Sequence, residues 1–188
     1  MALALTWFSS QLIGLYEHFT DLEHGAKCKV PSAWRSQVSL LSVYALSSFY
    51  FSVAGVFMMH CFARRPERLL YPGEQHEAWL WVWQGFVSFQ CDAVDLGRPS
   101  LSHPVDRISA TLVILHQCQK HWTAIWRGEY TGFEAAILNG GIAAGLLCFR
   151  RSCEAVRSKS LRGYCFWHAA WHFVLPTSMI LFCVSRYH

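Results

Sequence analysis

Two stretches of this chain, 37–63 and 163–185, contain no Asp, Glu, Lys or Arg. Each is long enough to cross a bilayer as a helix, which takes roughly 20 consecutive residues. A membrane-spanning chain must satisfy its backbone internally, so apolar runs of this length predict helices rather than an open sheet. The composition points the same way. Hydrophobic residues make up 53% of the chain and charged ones only 15%, against about one quarter in a soluble domain. Trp, Tyr and Phe, at 9, 7 and 13 copies, suit the two membrane interfaces. The expected fold is therefore all-α, a polytopic membrane helical bundle. The net charge of +4 sits in the connecting loops, which argues for membrane topology and against nucleic acid as a partner.

Three further segments complete a set of about five spans. One runs over 78–96, entering through Trp79, Trp81 and Trp83 and reaching Asp92 and Asp95 at its far end. Another covers 107–126, where His116, Lys120 and His121 make the second half unusually polar. The third, 132–149, holds Gly140, Gly141 and Gly145, which allow close helix packing. Upstream, 1–35 forms a separate N-terminal segment, with the bundle occupying 36–188. Leu5, Phe8, Leu12, Leu15 and Phe19 draw one helical stripe there, expected to lie in the interface as an amphipathic helix, with a sixth span as the alternative. Met1 to Tyr16 lacks the basic start and small-residue cleavage site of a secretory signal. Eight Cys without any Cys-x-x-Cys pair read as apolar packing residues.

The spacing of His168 and His172 carries the strongest chemical signal. Four residues apart on a helix, the two imidazoles point to one face, which is half of a metal site. Polar groups at membrane depth are costly and mark function by default; the competing reading is that both rings simply hydrogen-bond neighbouring helices. Loop charges divide ten Lys and Arg on one side from six on the other, and the richer side is expected to face the cytoplasm. That topology brings Ser88, Asp92, His103, His168 and His172 to one end of the bundle. Three imidazoles with a carboxylate or water satisfy tetrahedral zinc, while a carboxylate outside the coordination sphere could deprotonate the water.

Those residues resemble a known group. The stretches Ser88 to Asp92, Ser100 to Arg107 and His168 to His172 are similar to the three polar elements of the CREST superfamily of membrane hydrolases, which includes alkaline ceramidases, adiponectin and progestin receptors, and Per1 and TMEM8-like proteins. In the ceramidase and receptor branches the early helix carries Ser-x-x-x-His, an Asp follows on the next helix, and His-x-x-x-His lies on the last. Here Asp92 stands at the early His position and His103 follows eleven residues later. The family fold has seven spans, two more than are expected here. The resemblance implies a zinc-dependent hydrolase of amide or ester bonds in a lipid drawn from the bilayer. It further implies that His103, His168 and His172 bind zinc, that Asp92 orients the attacking water or completes the coordination, and that Ser88 helps hold the water or the oxyanion.

Several alternatives stand beside that expectation. A Ser in a membrane helix usually back-bonds to its own helix, and Asp95 and Asp106 read as interfacial or as partners of Arg98 and Arg107. His116 and His121 point away from each other, although either could ligate a haem opposite a His on another helix. The alternative is an accessory subunit among membrane protein partners, or a receptor or scaffold that keeps the zinc without turnover. In each reading the chain is an integral, multi-pass protein of an endomembrane or the plasma membrane.

Overall fold

The computed structural model describes residues 30–69, 74–98 and 100–187. The expected amphipathic segment, over residues 2–19, lies outside them. Among the described residues every regular element is helical and no strand occurs. In chain order these are a 3-10 helix Ser32–Gln37, then α1 Val43–Ser47 and α2 Phe49–Arg64, a short 3-10 turn Pro66–Arg68, and α3 Glu74–Phe89. A π-helical turn Gln90–Val94 extends α3, and α4 Ser102–Trp126, α5 Gly132–Arg157 and α6 Leu161–Tyr187 follow.

Local chemistry accounts for the helix starts. Ser42 caps α1 by accepting from the backbone N–H of Ala45 at 3.2 Å. At α5, Thr131 accepts from the Glu134 N–H while Glu134 accepts from the Thr131 N–H, a reciprocal capping box. Three segments are long and apolar enough to cross a membrane: Val43–Arg64, in which α1 continues into α2, together with α5 and α6. Helices α3 and α4 form where spans two and three are expected, but α3 has only 16 residues and α4 is more polar than the other three. The helical bundle is thus present, with three of its five expected spans clearly apolar.

The central helix is α6, which packs along α5 and against α2 and α1; α2 packs on α3, and α3 on α4. Helix α4 meets α5 at few places, so the ring of helices is loosest at that seam. Close approach depends on missing side chains. At Gly141 a Cβ would run into Ser178 of α6, and at Gly145 into Leu175, whereas Gly140 faces open space. Phe51, Met58, Phe62, Trp81, Met179 and Phe182 fill the main core. A second cluster, with Trp34, Tyr44, Leu96 and Tyr164, clamps the first 3-10 helix and α1 onto the start of α6.

Polarity is distributed inside-out. Trp79, Phe86, Leu112, Leu115 and Leu181 are exposed, while Glu74, Glu77, Asp92, Lys120 and His172 are buried. In water this arrangement would waste apolar area and desolvate charge, but in lipid the exposed apolar faces meet a matching solvent. The buried charges are paired. Lys120 Nζ lies 2.8 Å from both Glu77 oxygens and 3.4 Å from Glu74 Oε1.

Candidate metal centre

One turn of α6 separates His168 from His172, and both rings turn inward to the same carboxylate. His168 Nε2 is 3.1 Å from Asp92 Oδ2, and His172 Nε2 is 3.4 Å from the same oxygen. These three ligand atoms lie within 4.8 Å of one another, and the group could hold a metal ion. The distances suit one. Two ligands roughly 2.1 Å from a tetrahedral ion stand roughly 3.4 Å apart.

Asp92 reaches this position because it sits in the π-helical turn. The N–H of Asp95 bonds to the Gln90 carbonyl at 2.9 Å, five residues back, and this wider turn moves Asp92 out of the register it would share with Ser88 in an α-helix. The turn is pinned from outside. Tyr44 donates to the Asp92 carbonyl at 3.1 Å and shares a 3.2 Å hydrogen bond with Tyr164.

His172 has its tautomer set by α1. Ser47 spends its hydroxyl proton on the Tyr44 carbonyl at 2.6 Å, so towards His172 Nδ1, 3.0 Å away, its oxygen can only accept. Ser48 Oγ adds a longer approach at 3.4 Å. With Nδ1 carrying the proton, a neutral ring turns the Nε2 lone pair to Asp92, so two acceptors face each other and need a proton or a metal ion between them. An imidazole whose second nitrogen donates to an oxygen while the first faces a carboxylate is how metal-binding His residues are commonly oriented. Neither Ser47 nor Ser48 is singled out by the sequence, since both sit in an apolar run with no distinguishing spacing.

A second constellation adjoins the first. Ser88 donates to Asp106 Oδ1 at 2.6 Å, Gln84 Nε2 donates to the same oxygen at 2.7 Å, and Gln84 approaches Ser88 Oγ at 3.0 Å. Ser88 therefore spends its proton on the neighbouring helix instead of back-bonding to its own. Asp106, which in sequence looks like an interfacial partner of Arg107, instead joins Ser88 and Gln84 inside the bundle. The signal for it was an Asp early on the helix after Ser88.

His103 lies at the same end but does not join the three-residue group. Its Nε2 faces the carbonyls of Asp95 at 3.2 Å and Arg98 at 2.9 Å, and its Nδ1 is 2.9 Å from Cys91 Sγ. Both ring nitrogens are thus engaged by Cys91 and by the turn after α3. At the other end of α4, His116 approaches Glu77 at 3.7 Å and His121 meets Tyr130 at 2.7 Å.

Ser88, Asp106, His168 and His172 all line one cavity of about 250 Å³, whose middle is apolar through Val113, Ile114, Leu138, Ile142 and Leu146. Its walls come from α2 to α6, so it includes the loose seam between α4 and α5. A polar end joined to an apolar middle is the pattern of a site that holds an amphiphile. Comparison with known proteins finds no family model, no curated relative and no solved structure that matches this chain.

Proposed function

We propose that this chain is a zinc-dependent hydrolase of lipid amide or ester bonds, acting within the membrane. The observation that carries the reading is the junction of two polar groups, Asp92/His168/His172 and Ser88/Asp106/Gln84, at one end of a single apolar cavity. Two imidazoles and one carboxylate leave a fourth tetrahedral position open, the ligand count of a catalytic site. When bound, zinc would supply Lewis acidity, bringing the pKa of water down to roughly 7 and polarising a carbonyl.

The remaining roles belong to the protein. Asp92 is better suited to ligand than to base, because one of its oxygens already faces both imidazoles. Asp106 is the carboxylate left to accept a proton from water and return it to the leaving group. Ser88 and Gln84 position Asp106 by donating to its Oδ1. Ser47 holds His172 in the ligating tautomer. Phe51, Trp81 and Leu175 line the same cavity and keep bulk water away, which strengthens each of these electrostatic contacts. A lipid would enter sideways through the α4/α5 seam, bringing its carbonyl to the polar end and its chain to the apolar middle.

The test is turnover of purified protein in mild detergent against long-chain amide and ester lipids, read as fatty acid released by mass spectrometry. The Asp106→Asn variant should keep its metal and lose activity by about 100-fold or more, the scale of a general base. Metal-loaded, folded protein that hydrolyses neither class would remove the enzyme reading and leave a receptor that retains the ion.

A further inference from the structure

The end of the cavity opposite His168 is polar too, and a plain hydrocarbon chain would not satisfy it. Gln117 and His121, on α4, both line that end, and the two residues are 6% and 4% exposed. The orientation of the Gln117 amide is fixed from behind, because its Nε2 donates to Glu77. Its Oε1 then has no hydrogen-bond partner, and neither has His121 Nε2. His121 Nδ1 lies 2.7 Å from the Tyr130 hydroxyl; with that hydroxyl as the donor, the neutral ring carries its own proton on Nε2. An unused acceptor on Gln117 and, in that tautomer, an unused donor on His121 therefore belong to two neighbouring residues that line the cavity. Each costs free energy until it is paired.

Eleven residues of α4 separate Asp106 from Gln117, a rise of roughly 16 Å. We propose that the Gln117/His121 end is a second binding subsite that takes the hydroxyl of a long-chain lipid hydroxylated near the end of its chain. Such a hydroxyl donates to Gln117 Oε1 and accepts from His121 Nε2. The apolar middle holds the methylenes between, and the carbonyl end of the same chain lies at Asp106 and His168. The subsite deepens the hydrolase reading and rests on it only for what happens at the carbonyl end.

Binding of hexadecanoic acid and of its ω-hydroxy derivative to the purified chain in detergent, each measured by displacement of a fluorescent fatty acid, tests the subsite without requiring turnover. A failure of the hydrolase reading would therefore leave the result interpretable. The ω-hydroxy acid should bind about tenfold more tightly, the scale of one net hydrogen bond to an otherwise unpaired buried group. His121→Phe keeps an aromatic ring against Phe182 and Tyr130 and should erase the preference, as should Gln117→Leu if that variant still elutes as a folded monodisperse species. Equal affinities for the two acids, saturable binding of neither, or a preference that survives His121→Phe would each overturn the proposal.

Discussion

Single side chains decide whether the site can hold an ion. The hydroxyl of Ser47 does no chemistry, yet it sets which nitrogen of His172 faces Asp92. Ser47→Ala should leave the helices in place and weaken zinc binding by about 10- to 100-fold, as loss of an outer partner of a metal-ligating His does, measured by competition with a chromogenic chelator. Wild-type affinity in Ser47→Ala would show that Ser48, at 3.4 Å, suffices or that no ion binds there. The same ligands must shed protons to bind metal. Zinc content should therefore fall as the pH is lowered towards 5 and recover when it is raised, in a titration read by elemental mass spectrometry.

At the scale of elements, α5 and α6 owe their contact to small residues. Gly141→Leu should force the two helices apart and cost about 1–3 kcal/mol, the usual penalty of overpacking, seen as a lower Tm in detergent. Gly140→Leu, facing open space, should leave Tm unchanged. The helices themselves were legible in the sequence because uncharged length and helical spacing are strong signals, and so was the inward pair His168/His172. Less legible was anything set by local backbone geometry. The π-turn that carries Asp92 has no residue signature, and the carbonyls of Asp95 and Arg98 that turn His103 aside belong to a loop whose path spacing does not encode. Proximity in sequence pairs Asp106 with Arg107, whereas the hydrogen bonds it accepts from Ser88 and Gln84 come from α3, eighteen and twenty-two residues back.

Among the described residues the bundle buries Glu74, Glu77, Asp92, Lys120 and Glu134 while it exposes many large apolar side chains, so its interior must be held by pairing. Lys120 against Glu74 and Glu77 ties α4 to α3 at the end away from the metal centre. Lys120→Met would remove the cation that faces two buried carboxylates and should cost about 3–5 kcal/mol, read as a lower thermal midpoint or loss of monodisperse protein. That cost should arise without altering metal content in whatever remains folded. Holding an ion at one end of the cavity of about 250 Å³ is the role we propose for this scaffold. Elemental mass spectrometry of the purified chain beside His168→Ala/His172→Ala tests it most directly. About one zinc per chain, absent from the folded double variant, is the result predicted; intact protein with no bound metal, or metal retained by the variant, would contradict it.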